Sequence, residues 1–427
     1  MNGDRPIVLR GELDPKAVEQ LERCVEAGSA VRGVLCADGH VGYSMPIGGA
    51  VAYTDHISPT AVGFDIGCGV KGVRTDVRAE DVDVPATMDE IVRRISFGVG
   101  RTSNERADHA VLERIRDADF EPQRKLLDLA AQQLGTVGAG NHWVDLFVDG
   151  EGWLWAGCHF GSRGFGHKTA SGFLALAEGL RFDNRVAEAG MDAPPVLFDT
   201  QSALGEAYLA AMNLAGEYAY AGRDIVIDTV LDILGARATD EIHNHHNFAW
   251  REEHFGLPVW VVRKGCTPAF PGQRGFVGSS MGEPSVVLEG TDEPGAAESL
   301  YTTVHGAGRA MSRSKAAGRP RKRWVNNLRD DDTLYGSRDE ALAVAGATKA
   351  RSVRIREGGA IDFDAVRADL RRKGIELRGG AADEAPGAYK RLSEVLSYHE
   401  GTVRILHTLT PLGVAMAGAD TYDPYKD

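Results

Sequence analysis

The sequence is short of several things, and each shortage excludes a class. No apolar run reaches the roughly 18 residues of a membrane-spanning helix, so no membrane is expected among its partners. The first stretch, MNGDRPIVLRGELD, is charged and carries no apolar signal core. Cysteine is scarce: five, at positions 24, 36, 68, 158 and 266 of 427 residues. Spacing that wide forms no disulfide framework and points to a reducing, cytoplasmic compartment. Positive charge is also in deficit, with 48 Lys and Arg against 61 Asp and Glu, for a net −13. That balance argues against a general nucleic-acid coat protein. Neither GAGNHW nor HGAGR is the dinucleotide pattern G-x-G-x-x-G, and the phosphate loop G-x-x-x-x-G-K-[ST] is absent, so any nucleotide is held another way.

What remains is ordinary in bulk and unusual in detail. Hydrophobic residues make up 43% and charged residues 26%, as in a globular protein with ample chain to bury a core. DPKAVEQLERCVEAG reads as a complete helix, capped by Asp14, with Pro15 first, one apolar face, and Gly28 at its end. Further helices are expected over 122–134, 167–181, 203–234 (interrupted at Gly222), 363–373 and 387–399. The β-rich runs WLWAG, PVWVVRK, SVVLEG and VRILHTL alternate with them, so the class is mixed α and β. No repeat or linker divides the chain, which is read as one catalytic domain over 1–427. A basic and polar surface segment at 309–346 begins with seven Arg and Lys between Arg309 and Arg323, with no acid among them.

The 52 glycines cluster beside His, Asp, Asn and Ser, where they permit turns and close approach of backbone to a ligand. DGHVG holds Asp38 and His40, and GFDIGCG holds Asp65 and Cys68. GNHW holds Asn141 and His142, and HFGSRG holds His159, Ser162 and Arg163. HNHHNFA holds His243, His245 and His246, and HGAGRAMSR holds His305, Arg309 and Arg313. Singly, each histidine reads as structural. Jointly, Asp, Cys and several His in Gly-flanked turns are the ligands of a first-row divalent metal. No second cysteine stands close enough for a zinc finger, so the ligands must converge from distant turns, as in a catalytic site. One thiolate with several imidazoles and a carboxylate suits a dinuclear Mn or Zn centre. Asn141, Ser162, Arg163, Arg309 and Arg313 are donors suited to phosphate oxygens, which adds phosphoryl chemistry.

In their order, DGHVG, GFDIGCG, GNHW, HFGSRG, HNFA, RKG with SSMG, and HGAGRAMSR make the chain similar to the RtcB family of RNA ligases from about residue 38 onward. The resemblance implies an α+β fold of its own, with mixed β-sheets, surrounding helices and a deep central cleft for two Mn²⁺ ions. It implies one ion on Asp65, Cys68 and His142 and the other on Cys68, His159 and His246, with Cys68 bridging. It implies that His305 becomes guanylylated from GTP and that Asp38 orients its imidazole. Nucleotide contacts are implied for Asn141, Asp145, Ser280 and Ser285, and for Gly306, Ala307, Gly308, Arg309 and Tyr389. Arg163, Arg309 and Arg313 would meet RNA phosphates. The implied partner is RNA with a 3′-phosphate or 2′,3′-cyclic phosphate end and a 5′-hydroxyl end, in repair or tRNA splicing. An activating helper protein is left open.

The chain departs from the family pattern around the base. Asp145 stands where the family has glutamate, and Met416 where it has a lysine near the end, with nine residues after Gly418. Gly278–Ser279 replaces Pro-Gly before Ser280–Met281–Gly282. The phosphoryl apparatus therefore looks whole and base recognition altered. Two other classes compete with the ligase: a dinuclear phosphodiesterase or phosphatase of nucleic-acid ends, which needs the ligands but not His305, and a binding protein without turnover.

Overall fold

The computed structural model describes residues 5–186, 190–328 and 333–418. The architecture is mixed α and β, as expected. Two large sheets carry the molecule. The five-stranded sheet runs in the order Ile7–Leu9, Ala30–His40, Ile47–Tyr53, Leu257–Lys264, Asn247–His254. The eight-stranded sheet follows the path Arg274–Val277, Ser285–Gly290, Val403–Gly418, Trp143–Val148, Trp153–Phe160, Gly69–Arg78, Ala238–His245, with Glu376–Gly380 pairing beside the long strand Val403–Gly418. The four expected β-rich runs all lie in these strands.

The expected helices form, with differences at their bounds that have local causes. Pro15–Glu26 is capped by Asp14, whose side chain accepts from the Lys16 N–H, and Gly28 follows with φ +55°. It lays Ala17, Leu21, Cys24 and Val25 against the five-stranded sheet. The segment 122–134 is two short helices, Glu121–Arg124 and Leu127–Gln133, because Leu126 N bonds Gln123 O in a tighter turn between them. The helix expected at 167–181 starts a turn earlier, as Arg163–Ala177, and ends where Leu180 N returns to Ala175 O across Gly179. The expected break at Gly222 is absent: Ala203–Leu234 is one continuous helix of 32 residues. Gly222 is there for packing, since an added Cβ would stand 3.3 Å from the Phe160 ring on the sheet beneath. Residues 387–399 yield only Leu392–Ser397 as α-helix, because Lys390 N is drawn to Gly308 O.

The basic segment expected on the surface at 309–346 is two different things. Arg309 and Arg313 turn inward beside the cleft, while Arg319–Asn326 pairs with Ala350–Glu357 as a separate two-stranded hairpin. Residues 329–332 of that segment, and the residues after Gly418, lie outside the described set. Among the described residues, no helix is long and apolar enough to cross a membrane.

Register decides where the site sits. Val70 and Trp143 flank His159 on the two neighbouring strands, and Gly69 pairs with His245. Cys68, His142 and His246 are each one residue beyond a strand that touches this point. Strand ends, not a sequence motif, therefore bring the four residues together.

Candidate functional site

The turn Asp65–Cys68 is fixed by backbone before any side chain acts. Cys68 N bonds Asp65 O, Gly67 N bonds Asn247 O at 2.8 Å, and Cys68 O accepts from His246 N at 2.8 Å. Gly161 is required beside it, since an added Cβ would stand 2.3 Å from the Asp65 carboxylate. Two donor groups result and share Cys68: Cys68, His159 and His246, and Asp65, Cys68 and His142, with all ligand atoms of a group within 4.8 Å of one another. Cys68 Sγ lies 3.3 Å from His159 Nε2 and 3.6 Å from His142 Nε2. His159 Nε2 and His246 Nε2 are 3.1 Å apart. Asp65 Oδ2 is 3.1 Å from His142 Nε2.

This arrangement fits metal ions. Burial, with neighbouring imidazoles, holds His159 and His246 well below the usual histidine range, so both rings are neutral and offer lone pairs. His159 has its other nitrogen fixed by Asn141 O at 2.9 Å, the orienting partner that ligand histidines usually have. Burial opposes ionisation of Asp65, but its hydrogen bond to His142 prevails and keeps it a carboxylate. Burial, reinforced by Asp65, pushes the Cys68 thiol well up, and a bound cation would reverse this by taking the thiolate as ligand.

His305 stands at the edge of these groups, its ring centroid 4.8 Å from that of His246. Its Nδ1 is held 2.7 Å from Asp38 Oδ2. The same oxygen accepts from the backbone N–H of His305 at 3.1 Å and Gly306 at 3.4 Å. Asp38 is fully buried, yet these bonds outweigh burial and hold its carboxyl below the usual range. Nδ1 is thereby committed and Nε2 is the nitrogen left for chemistry. Gly308, at φ +72°, lets the loop pass the Asp38 backbone: a Cβ there would stand 2.2 Å from the Asp38 carbonyl oxygen.

Asp65, Cys68, His142, His159, His246 and His305 line one cleft of about 570 Å³, with Asp38 buried behind His305. Asn141, Asp145, Ser280, Gly306, Ala307, Gly308, Arg309, Arg313 and Tyr389 join them on its walls. One wall is apolar, from Trp143, Met281, Val414 and Met416. Set in it are polar atoms without partners among the described residues: Asp145 Oδ1 and the Ser279 and Ser280 hydroxyls. Burial raises the Asp145 carboxyl well above the usual carboxylate range, against the Ala415 backbone amide. Ser285 is not on the wall; its hydroxyl accepts from Ser279 N and shapes the loop that carries Ser280.

Arg163 also stays off the wall. Its guanidinium donates to Thr136 Oγ1 and to Gly98 O at 2.7 Å, which supports the loop before His142. Arg309 lies over the Tyr389 ring, 5.0 Å from its centroid, so one ring face is already covered. Arg313 is held by Asp383 at 3.1 Å and by Glu384, whose other oxygen meets Tyr389. No motif in the sequence singles out Asp383 and Glu384. An acid pair in DEAPGAYK looks like solvated loop, and only the fold places it opposite two arginines.

Arg223 is equally silent in the sequence. This residue is fully buried in the long helix, and its Nη1 donates to Gly67 O at 2.8 Å and Phe160 O at 2.6 Å. Its Nε donates to His243, and its Nη2 lies 2.9 Å from His245. His243 and His245 are therefore structural residues, in line with the reading of each histidine taken singly. Arg223 ties together the turn before Cys68, the strand of His159 and the strand before His246. Arg223→Met is expected to weaken metal binding about 10–100-fold, the usual cost of losing a residue that holds ligands in place. Each orphaned carbonyl adds about 1–3 kcal/mol of instability. Metal titration with a thermal melt checks both effects, and unchanged affinity would refute the positioning role.

Comparison with known proteins agrees with this geometry. The family described as tRNA-splicing ligase RtcB matches residues 20–354. The chain is 28% identical to the RNA-splicing ligase RtcB of Escherichia coli, over 87% of this chain and 86% of that protein. It is 29% identical to the tRNA-splicing ligase RtcB of Archaeoglobus fulgidus, over 94% and 91% of the two chains. Against the protein of that name from Thermococcus kodakarensis the figures are 29%, 90% and 87%. With most of its length matched, and with the two donor groups and the His305–Asp38 pair in one cleft, the chain belongs to the RtcB family of ligases.

Proposed function

We propose that this chain is a Mn²⁺- and GTP-dependent RNA ligase that joins 3′-phosphate or 2′,3′-cyclic phosphate ends to 5′-hydroxyl ends, in RNA repair or tRNA splicing. The observation that carries the reading is the His305 imidazole. It is fixed through Nδ1 by a buried carboxylate and set beside two metal-competent donor groups. Plain hydrolysis of phosphate esters does not require such a nucleophile with its orienting acid.

The chemistry follows from the residues. His305 Nε2 attacks the α-phosphorus of the nucleotide; a P–N bond forms and pyrophosphate leaves. A 3′-phosphate oxygen of RNA then takes the guanylyl group from His305, and the freed imidazole returns to Asp38. The 5′-hydroxyl attacks the activated 3′-phosphate, a phosphodiester forms and GMP leaves. A cyclic phosphate is first opened by water to the 3′-phosphate. Asp65, Cys68 and His142, and Cys68, His159 and His246, would hold two Mn²⁺ ions, whose charge offsets that of the phosphate oxygens. Arg309 and Arg313 bring further positive charge, with Glu384 and Asp383 holding them until phosphate competes.

The apolar wall with Asp145, Ser279 and Ser280 suits a nucleobase, and Tyr389 has one ring face left to stack on it. Burial moves Asp145 toward its protonated form, in which it can donate as well as accept. The test is incubation with Mn²⁺ and α-labelled GTP or ATP, followed by a search for acid-labile label on His305. Label from GTP is expected. Asp145→Ala is expected to change the GTP-to-ATP ratio of labelling rates by about tenfold or more, the ~1–3 kcal/mol of one buried hydrogen bond. No label from either nucleotide, together with metal-dependent phosphate release from RNA ends, would establish the hydrolase instead.

A further inference from the structure

The hairpin Arg319–Asn326/Ala350–Glu357 is a strongly basic element on an acidic chain. Seven of its sixteen residues are Arg or Lys and one is acidic, in a protein of net charge −13. A two-stranded ribbon is marginal by itself, and like charges crowded on it weaken it further.

Register separates its two faces. Arg319, Arg321 and Arg323 alternate onto one face, opposite Glu357, Ile355 and Val353. That face is partly neutralised, since Arg323 grips Glu357 through two bonds of 2.7 Å. Pro320, Lys322 and Trp324 alternate onto the other, opposite Arg356 for Pro320 and Ser352 for Trp324. Lys322 lies over the Trp324 ring, 4.7 Å from its centroid. Among the described residues, neither Lys322 nor Arg356 has a carboxylate in ion-pair range. Cations beside a half-buried aromatic, along about 26 Å of strand, are the elements of a single-strand nucleic-acid track.

Its base adjoins the cleft. Arg313 and Ser312 line the cleft, the short helix Arg313–Ala317 follows, and Arg319 opens the hairpin. The chain just after the returning strand is tied to the same helix, with Ala360 N on Lys315 O and Ile361 N on Ala316 O. A chain leaving the cleft past Arg313 meets the hairpin next.

We infer that this hairpin binds the single-stranded RNA that leads away from the reacting end, gripping its phosphates several nucleotides from the cleft. The inference rests on the RNA-ligase reading for the identity of the strand. The hairpin sets affinity for longer RNA and takes no part in capturing the nucleotide on His305.

The test uses the full chain and the triple variant Arg319→Ala/Arg321→Ala/Lys322→Ala. Anisotropy measures binding of a labelled 20-nucleotide RNA and a 3-nucleotide RNA, both with 3′-phosphate ends, across salt concentrations. For the 20-mer, affinity is expected to fall about 10–100-fold near 0.1 M salt, and the log–log salt slope by about 2, at ~0.7 for each phosphate no longer neutralised. Binding of the 3-mer, labelling of His305 and the thermal melt are expected to stay as in the parent. Binding of the 20-mer within twofold of the parent, with its slope unchanged, overturns the inference and leaves the charges as edge protection. Binding lost only to phosphatidylserine vesicles, with RNA unaffected, overturns it in favour of a membrane surface. Failure of the parent to label His305 counts against the ligase reading instead, because RNA affinity is read without turnover. Trp324→Ala is the second variant: loss for the 20-mer with the melt preserved supports stacking, and no loss with the melt preserved counts against the track.

Discussion

Replacing His305 with alanine is expected to abolish covalent capture of the nucleotide, by at least about a thousandfold, or ~4 kcal/mol of barrier. Among the other imidazoles lining the cleft, His142, His159 and His246 are within the donor groups, and His40 has its Nδ1 on the Asp38 backbone oxygen while the Asp38 carboxylate is engaged by His305. The informative partner is Asp38→Asn. Asp38 Oδ2 accepts from the His305 ring, the His305 amide and the Gly306 amide at once. Asparagine keeps one acceptor and adds an N–H, so the three donors compete and the ring can turn to the wrong tautomer. Labelling is then slowed on the order of 10²–10⁴-fold without being lost, as when an orienting carboxylate is removed from a nucleophile–base pair. Label accumulation against time, at fixed Mn²⁺ and GTP, separates the two variants. A full rate with His305→Ala would show that the label sits elsewhere and that the mechanism is wrong.

The second large effect is expected from Cys68→Ala. Cys68 belongs to both donor groups, so its loss leaves each one ligand short. Removing a residue that merely orients a ligand costs ~10–100-fold in metal affinity, and losing a shared ligand should exceed that. Metal per chain, measured after dialysis against sub-micromolar Mn²⁺, is expected to fall from two to less than one. By contrast, His142→Ala should spare the group of Cys68, His159 and His246 and leave about one ion. Equal stoichiometry in Cys68→Ala and the parent would refute the bridging role. The cysteine packs well as a small buried group, so the fold should survive its replacement by alanine, and a melt confirms it.

Much of the site could be read from glycine-flanked residues. Asp65, Cys68, His142 and His305 sit close to glycines in turns that the bare sequence shows, whereas Asp38 and His159 lie within strands and His246 has no neighbouring glycine. The structure brings all but the buried Asp38 onto the walls of one cleft. The partners across the cleft were not readable. Asp383 and Glu384 oppose Arg309 and Arg313 from some 70 positions away, and nothing local in DEAPGAYK shows it. Arg163 shows the converse. Beside a glycine in HFGSRG it reads as a phosphate donor, but its guanidinium is turned to Thr136 and Gly98. The basic run was visible as charge, but its division into two cleft arginines and an outer hairpin depends on the turn at Gly318.

By itself, then, the sequence picked out the family and the candidate donor residues, because residue types and their order along the chain are properties of the sequence alone. It also determined most helices and strands, through periodicity and capping. Tertiary structure alone decided which donors share Cys68, which arginines are neutralised, and that Arg223 braces the turn and strands of the donor groups from beneath. Those outcomes come from strand register and from burial, which set distances between residues far apart in the chain and decide which charges must find a partner.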